Sequence, residues 1–359
     1  MTTPLRVGII GVSAESGWAR DAHVPAVQGL AGLELVAVAS SSQAKSEAAA
    51  KAFGVNSAFA SGADLLRDPG IDLVAVCVRV PDHRDLVLAA IHAGKHIYSE
   101  WPLGRNTAET EEMAAAAQAK GVKAAIGLQT RANGAAIKAR DLLASGAIGR
   151  VLSAHLYSST VGFGPQVPAP YLYLEDPENG VNLVTIQGAH TIDLALALLG
   201  GLVDGSALNT TQYPEIEAGD NRSKQPRLTS DHMLLQARLA QGGALSVEVA
   251  GGRPPETPFR MEIVGDQGVL ALDGGAPRGF QSGRLRLSLN GEPQQVAEGE
   301  TDTLPDSAAN VAGIYAALRD DIHRGTSTVP DFHHAVQLSR LMDDVISSAK
   351  TGARLPYRG

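Results

Sequence analysis

The sequence has 359 residues, 44% of them apolar, so the chain is long enough for two domains with sizeable cores. Thirty basic and 38 acidic residues give a net charge of −8, which argues against direct nucleic-acid binding because phosphate recognition requires a basic surface. The single cysteine, Cys77, excludes an internal disulfide, and no apolar run reaches the ~18 residues of a membrane span. The first residues are predicted to form a strand and not a signal peptide, so we expect a cytoplasmic protein without a membrane partner.

From residue 5 to residue 128, short apolar segments alternate with helical ones. The five predicted strands are "LRVGIIG", "LELVAVAS", "IDLVAVCV", "KHIYSE" and "VKAAIGLQ". Strands that are apolar throughout and separated by helices predict a parallel sheet buried on both faces. We therefore predict an α/β fold with a doubly wound, Rossmann-type domain over residues 1–128, which binds ligands at the carboxyl ends of its strands.

The pattern changes at residue 129, where a connecting helix begins. Five later segments alternate with a period of two: "VLSAHLYSST", "HMLLQARL", "ALSVEVAGG", "FRMEIVGDQGVLAL" and "GRLRLSLNG". We predict a second α/β domain over 129–359 with an open, largely antiparallel sheet, which binds substrate and forms a homodimer or homotetramer. The polar segment 212–230 is predicted as a surface loop, and the last helix is expected to pack on the first domain.

The turn after the first strand, "VGIIGVSAESGWARDAH", has the strand–turn–helix setting of a dinucleotide-binding loop. Gly8 and Gly11 are in place, whereas Ser13 and Ser16 stand where the usual G-x-G-x-x-G motif has its second and third glycines. Alone, the turn fits a structural glycine turn as well as a cofactor loop, and its βαβ setting favours the cofactor loop. The candidate cofactor contacts are Gly8, Gly11, Val12, Ser13 and Ser16.

The second predicted strand ends in "SSSQAK", without the carboxylate that usually accepts hydrogen bonds from the ribose of NAD. Ser40, Ser41 and Ser42 can donate to a 2′-phosphate, and Lys45 adds a positive charge. The same residues also fit a polar loop that caps the next helix. We predict NADP or NAD as the cofactor, with a modest preference for NADP.

Several motifs together resemble the Gfo/Idh/MocA family of oxidoreductases. "VPDHRDL", "AGKHI" and "SEWPLG" follow one another as do the family's Pro-Asn-His turn, A-G-K-H-V and E-K-P, while "GAHTID" is similar to its G-x-H-x-x-D signature and "LQTR" to its N-x-R. The long first loop, the E-W pair and "NGVNLVTIQGAHTID" are similar to the branch of the yeast galactose-regulon repressor, which resembles an oxidoreductase but acts as a sensor. The resemblance implies further cofactor contacts at Val80, Pro81, His83, Glu100, Trp101 and Gln129.

Two positions depart from the family pattern. Trp101 replaces the lysine of E-K-P, which in family enzymes orients the substrate and exchanges the hydroxyl proton. An indole N–H donates one hydrogen bond and cannot accept a proton. Thr185 and Ile186 occupy the region where the family commonly places an aspartate. The joint change indicates a site rebuilt for another ligand or another task.

His190 and Asp193 lie three residues apart on a predicted helix and share one of its faces. The resemblance implies that His190 faces the ligand as the catalytic acid/base and that Asp193 orients or charges it, although His190 alone fits an ordinary structural histidine. Arg131 either holds a ligand oxygen or a phosphate, or pairs with a surface carboxylate. His333 and His334 have no third ligand at metal spacing, so no metal is predicted. The predicted substrate contacts are Trp101, Arg131, Tyr173 and His190.

Two functions fit these features. The first is an NAD(P)-dependent oxidoreductase acting on a sugar, a cyclitol or a related polyol, a class of small polyhydroxylated ligand. The second is a non-catalytic NAD(P)-binding sensor or transcriptional co-regulator, in which Trp101 stacks on or blocks the nicotinamide end. The first is favoured because most chains that resemble the family are enzymes, and the second is favoured by Trp101.

Overall fold

The computed structural model describes residues 3–256, 258–297 and 299–357. The chain divides into two compact units, one of residues 1–129 with 298–336 and the other of residues 130–297 with 337–359. The first unit therefore includes a late segment that the predicted boundary at residue 128 assigned to the second domain.

The first unit is built on six strands: β1 (Leu5–Ile10), β2 (Leu33–Ala39), β3 (Ser57–Phe59), β4 (Leu73–Val76), β5 (His96–Glu100) and β6 (Ala124–Gly127). All neighbouring pairs are parallel, in the order β3-β2-β1-β4-β5-β6. Strand β4 is buried along its whole length, as its unbroken apolar sequence predicts. The predicted Rossmann-type sheet is confirmed, and β3 is an additional strand of three residues that was not predicted.

The helices of the first unit are α1 (Val24–Gly29), α2 (Gln43–Phe53), α3 (Gly62–Leu66), α4 (His83–His92), α5 (Thr107–Lys120) and the late helix α8 (Asp306–Arg324). A π-helical turn, Ala19–His23, leads into α1, and α8 packs against both. The final helix, α9 (Phe332–Thr351), begins in the first unit and ends in the second. Of the last two helices, α8 therefore lies wholly in the first unit, whereas only the first turn of α9 does.

The second unit contains a nine-stranded sheet of β7 (Val151–Ser159), β9 (Leu202–Thr210), β12 (His232–Leu239), β13 (Ala244–Ala250), β14 (Phe259–Gly265), β15 (Val269–Gly274), β16 (Leu285–Leu289), β17 (Glu292–Pro293) and β18 (Leu355–Pro356). Its order is β17-β16-β15-β14-β7-β13-β12-β9-β18, and of these pairs only β7 with β13 is parallel. Burial alternates along β12, so one face is covered and the other open. The predicted, largely antiparallel sheet is confirmed.

The segment 212–230 is not the irregular loop that its polarity predicts. It contains β10 (Glu215–Ala218) and β11 (Ser223–Pro226), which form an antiparallel hairpin, and β10 also pairs with β8 (Gln166–Val167). Ile216 and Ala218 alternate with polar residues and are buried in a small satellite core. The prediction failed because only two apolar side chains carry the alternation.

A buried ionic network holds this small sheet in place. The side chain of Arg227 is fully buried and donates to both carboxylate oxygens of Glu175, at 3.0 and 3.2 Å, and to Asp231 at 2.9 Å. It also donates to the backbone carbonyls of residues 163–164. A buried cation is tolerated when its charge is compensated and its donors are bonded, and both conditions hold here.

The remaining helices of the second unit are α6 (Gly134–Ala144) and α7 (Ala189–Leu199), the latter preceded by a π-helical turn, Val184–Gly188. In the described part of the chain, the stretch Pro177–Leu199 is long and apolar enough to span a membrane. However, 72% of its most apolar window is buried within the fold, which is typical of a core helix.

Candidate functional site

The loop after β1 has the tight turn expected of a dinucleotide-binding loop. The backbone N–H groups of Gly11 and Val12 donate to the carbonyl of Ala39 at 2.8 and 3.3 Å, which ties the loop to the end of β2. Gly11 has φ +97°, and a Cβ built on it lies 2.8 Å from the carbonyl carbon of Cys77 and closer still to its oxygen. Only glycine fits this conformation at this packing distance. Gly8 lies within β1.

The two serines of this loop are exposed to different degrees. Ser13 is half-buried, and its hydroxyl accepts a hydrogen bond from the backbone N–H of Glu15 at 3.2 Å. Ser16 is exposed and precedes Gly17, which has φ +117° and where an added Cβ would meet no described atom within 4 Å. The second half of the loop is therefore open where the first half is closely packed.

Of the three serines after β2, Ser40 and Ser42 make local hydrogen bonds and Ser41 lies on the surface. Ser42 caps α2 by accepting from the backbone N–H of Lys45 at 3.4 Å, so the capping role is real. The backbone N–H of Ser40 donates to the buried hydroxyl of Ser46 at 2.8 Å. Lys45 Nζ donates to Ser41 Oγ at 3.2 Å, and both groups are exposed. The structure thus presents a hydroxyl and an ammonium group together after β2.

The turn after β4 is held by a buried histidine. Residues Val80–Asp82 form a 3₁₀ turn, with Pro81 at its second position, and His83 follows at the start of α4. The His83 ring is fully buried, with Nε2 3.0 Å from the carbonyl of Val78 and Nδ1 3.2 Å from that of Leu103. Burial lowers the pKa of His83. A neutral imidazole has a single N–H, so His83 donates to one of these two carbonyls and supports the turn from inside the fold.

A hydrogen-bonded cluster stands at the carboxyl end of β5. Glu100 Oε1 is 3.0 Å from His23 Nε2, and His23 Nδ1 is 2.8 Å from the hydroxyl of Tyr315. His23 and Tyr315 are fully buried, whereas the side chain of Glu100 is 18% exposed. Tyr98 stacks on Tyr315 with ring centroids 4.6 Å apart, and burial raises the pKa of both phenols. Tyr98 is therefore a core residue under the strand end.

Trp101 follows Glu100 at the position of the family lysine. The residue is 7% exposed, and its peptide bond to Pro102 is cis. The position thus carries a largely buried aromatic group and no proton acceptor.

Besides the hydroxyl of Tyr98, two buried polar atoms of the first unit have no hydrogen-bond partner among the described residues. One is the indole Nε1 of Trp18, in the loop after β1, and the other is Oε1 of Gln129, just after β6. A buried donor or acceptor without a partner is costly unless a ligand supplies one. An unmatched donor and an unmatched acceptor on this unit, with the glycine turn of Gly11, fit a dinucleotide cofactor.

In the second unit, Arg131 and Asp193 form a bidentate ion pair. Arg131 Nε and Nη2 donate to the two carboxylate oxygens of Asp193 at 2.8 and 2.7 Å. Asp193 is buried, and the side chain of Arg131 is 26% exposed. Of the alternatives for Arg131, the structure places its guanidinium against a carboxylate, and this carboxylate is buried and belongs to the second signature motif.

His190 lies on the same helix, α7, one turn before Asp193, and is buried. Thr185, near the position of the family's aspartate, instead closes the turn that begins this helix, because its hydroxyl accepts from the backbone N–H of Asn182 at 2.9 Å. Tyr173 is half-buried in the 3₁₀ segment Ala169–Glu175, and its carbonyl accepts from Asn179 Nδ2 at 2.8 Å. The described residues contain no group of three or more His, Cys, Asp or Glu side chains able to hold a metal ion.

The comparisons with known proteins match both halves of the chain. Residues 5–128 match the family model described as an oxidoreductase family with an NAD-binding Rossmann fold, and residues 135–274 match the model of the Gal80p C-terminal domain. The chain belongs to the Gfo/Idh/MocA family.

The relatives in this family include both enzymes and regulators. The dehydrogenase aclE of Aspergillus oryzae is 29% identical, with all of both chains covered. The galactose/lactose metabolism regulatory protein GAL80 of Saccharomyces cerevisiae is 27% identical over 92% of this chain and 83% of its own length. The levoglucosan dehydrogenase of Pseudarthrobacter phenanthrenivorans is 28% identical over 63% of this chain and 61% of its own.

Among solved structures, a super-repressor mutant of Gal80p from Saccharomyces cerevisiae aligns with a TM-score of 0.87 and 26% identity over 99% of this chain and 98% of that chain. The chain is thus similar to the regulatory branch of the family over nearly its whole length.

Sequence reasoning missed several residues of this region. Trp18, His23 and Tyr315 were not identified as site residues, and Tyr315 is 292 positions from His23. Gly127 was also missed, although a Cβ there would lie 2.8 Å from Glu100 Oε1. The presence of His23 near the end of the first loop was the available signal, but only the fold reveals its partners.

Proposed function

We propose that the protein is an NAD(P)-dependent oxidoreductase that acts on a sugar, a cyclitol or a related polyol. The observation that carries this proposal is the glycine turn at Gly11 together with two unmatched buried polar atoms on the same unit, a combination that suits a dinucleotide. The family's oxidoreductase membership and its relatives named for sugar derivatives support the substrate class.

The residues of the first unit hold the cofactor in this proposal. The small side chains of the loop after Gly11 and its backbone beyond Val12 surround the pyrophosphate, and the hydroxyl of Ser41 with the ammonium group of Lys45 receives the adenosine ribose. When bound, the nicotinamide supplies the hydride acceptor or donor. Trp18 and Gln129 offer one donor and one acceptor that no described protein group uses.

His190 is the proposed acid/base, because Trp101 cannot take a proton. The negative charge of Asp193 is compensated by the guanidinium of Arg131. Asp193 therefore acts in this proposal as one half of a neutral ion pair and not as an isolated charge beside His190. Trp101 offers an apolar surface suited to the C–H face of a sugar ring or to a pyridine ring.

A turnover assay across sugars, cyclitols and other polyols with both cofactors tests this function. His190→Asn is expected to abolish turnover while leaving dinucleotide binding nearly intact. His92→Asn, at an exposed histidine, serves as the matched control and is expected to retain full activity. Turnover that persists unchanged in His190→Asn contradicts the catalytic assignment.

The cofactor preference is tested at the end of β2. We expect wild type to bind NADPH at least as tightly as NADH, and Ser40→Asp to reverse the preference by repelling the 2′-phosphate. Ser347→Asp adds the same charge at an exposed position of α9 and should change neither affinity. A wild-type preference for NADH of tenfold, about 1.4 kcal/mol, contradicts this proposal.

The second candidate function is a non-catalytic NAD(P)-binding sensor. It is favoured by Trp101 at the lysine position and by the match of residues 135–274 to the Gal80p C-terminal domain. Under this function wild type binds dinucleotide but turns over no substrate, and Trp101→Lys restores weak dehydrogenase activity. Under the enzymatic function the same variant lowers activity, because packing and ligand pose are lost. The sign of the change discriminates the two.

We further propose a homodimer or homotetramer that forms through the open face of the nine-stranded sheet. Leu208 and Leu234 are cross-strand neighbours on β9 and β12, and Leu208 is 51% exposed. Adjacent exposed leucines favour burial against another surface. Light scattering on the purified protein measures the mass directly, and a monomer at micromolar concentration contradicts the proposal.

A further inference from the structure

The cluster at the end of β5 fixes the proton positions on His23. Glu100 as a carboxylate only accepts hydrogen bonds, so His23 Nε2, 3.0 Å away, must carry a proton. Neutral imidazole then leaves Nδ1 as an acceptor, and the hydroxyl of Tyr315 donates to it at 2.8 Å. If His23 were doubly protonated, the Tyr315 hydrogen would lose its acceptor in a fully buried place. The contacts therefore define one chain of donation, from Tyr315 to His23 to Glu100.

This series of hydrogen bonds leaves one oxygen of Glu100 for another partner. Oε1 receives the imidazole N–H, whereas Oε2 has no hydrogen bond to any described residue, and the side chain is 18% exposed. Gly127 makes room for the carboxylate, because a Cβ there would lie 2.8 Å from Oε1 and 3.2 Å from the Cα of Glu100. Glu100 is also the last residue of β5, at the edge where doubly wound sheets bind ligands.

We propose that His23 and Tyr315 are positioning residues that hold the Glu100 carboxylate in one orientation, so that Oε2 accepts a hydrogen bond from the nicotinamide end of a dinucleotide. The donor is a ribose hydroxyl or the carboxamide N–H of that end, since a carboxylate recognises donors only. This inference rests on the proposed dinucleotide binding and assigns specific roles to two residues far apart in sequence.

Glu100→Gln tests the accepting oxygen. The His23 N–H selects the amide oxygen of glutamine, which turns the NH₂ group toward the ligand and replaces an acceptor by a donor. We expect NADPH and NADH to bind at least about tenfold more weakly, as for the loss of a hydrogen bond to a charged group. ADP, which lacks the nicotinamide end, should bind as to wild type. ADP-ribose distinguishes the two possible donors, because it carries the ribose but not the carboxamide. If the ribose hydroxyl is the donor, Glu100→Gln should weaken ADP-ribose binding as it weakens dinucleotide binding; if the carboxamide is the donor, ADP-ribose binding should be unchanged.

Tyr315→Phe tests the positioning, and Tyr98→Phe is its matched control. The two phenols stack on each other and are both fully buried, but the Tyr98 hydroxyl has no hydrogen-bond partner among the described residues. We expect Tyr315→Phe to weaken dinucleotide binding several-fold and Tyr98→Phe to leave it unchanged. In the double variant with Glu100→Gln, the Tyr315→Phe change should have no further effect, because it acts through the carboxylate.

Gly127→Ala gives an independent perturbation, since the three atoms nearest to its methyl group all belong to Glu100 and the closest is Oε1. It is expected to weaken dinucleotide binding and leave ADP binding unchanged. Calorimetric titration measures all variants, with unfolding midpoints to establish that each is folded. If wild type binds NADPH and NADH but Glu100→Gln and Gly127→Ala bind them equally well, the inference is wrong and the proposed function stands. If wild type binds neither dinucleotide, the proposed function and this inference fall together.

Discussion

Gly11→Ala and Gly17→Ala form a matched pair within the loop after β1. Both glycines have positive φ, +97° and +117°, so alanine at either position costs about 1–2 kcal/mol in backbone strain. Only Gly11 is also closely packed: its Cβ would lie 2.8 Å from the carbonyl carbon of Cys77 and 3.0 Å from Val78 Cγ1. The amide of Cys77 donates to the carbonyl of Ile10 at 2.9 Å, so the β1–β4 ladder must shift to relieve the overlap.

Forced overpacking of this kind adds about 1–3 kcal/mol. We therefore expect a loss of unfolding free energy of about 3 kcal/mol for Gly11→Ala and of about 1–2 kcal/mol for Gly17→Ala, measured by urea denaturation. In calorimetric titrations without denaturant, where the variant is folded, Gly11→Ala should weaken NADPH binding at least tenfold, because the backbone amides of the loop move with the turn. Equal destabilisation by the two variants, within about 0.5 kcal/mol, would refute the packing argument.

Two further predictions concern the second unit. Asp193→Asn removes the buried carboxylate that pairs with Arg131 and should lower the free energy of unfolding by about 2 kcal/mol, measured by urea denaturation. This is below the usual 3–5 kcal/mol for a buried pair because the side chain of Arg131 is 26% exposed. Asp273→Asn, in an exposed pair with Arg286, is the control and should cost less than about 0.5 kcal/mol; equal losses would contradict the argument. Burial raises the pKa of Tyr357 to about 12, so the folded state keeps its proton where the unfolded state, with a pKa near 10, releases it. Wild type should therefore lose stability relative to Tyr357→Phe as the pH rises from about 10 to 12, by roughly 2 kcal/mol in paired denaturation curves. At pH 7, Tyr357→Phe should be as stable as wild type or slightly more stable, because the Tyr357 hydroxyl is buried without a partner among the described residues. If the stabilities of the two proteins changed in parallel between about pH 10 and 12, the argument from the raised pKa would be contradicted.

The strands that could be predicted are those with unambiguous patterns. β4 is apolar throughout and β12 alternates over eight residues, and both are found where predicted. β3 has only three residues, all half-buried, which is too short to define a period. The hairpin β10–β11 was missed because polar residues and flanking prolines dominate its sequence, while the burial of Ile216 depends on a distant strand, β8.

The residues of the candidate site also differ in how far the sequence predicts them. Gly11 could be predicted because its role depends on a local turn between one strand and one helix. The pairing of Arg131 with Asp193, 62 residues apart, and of His23 with Tyr315, 292 apart, depends on tertiary structure. No local pattern encodes such contacts, so the partner of Arg131 stayed open in the sequence analysis and His23 was not identified as a site residue.

The nine-stranded sheet ends on both sides in strands of only two residues, β17 and β18. An unprotected edge strand invites backbone pairing with another chain, and natural proteins commonly limit this by keeping such strands short. Strand β18 pairs with Asp204 and Gly205 of β9, and the backbone N–H of Ala207 donates to the hydroxyl of Ser348, so both contacts occupy part of this edge. Side chains on the broad face offer a different means of association, and substitutions at Leu208 or Leu234 would change its specificity without altering the backbone groups at the sheet edges.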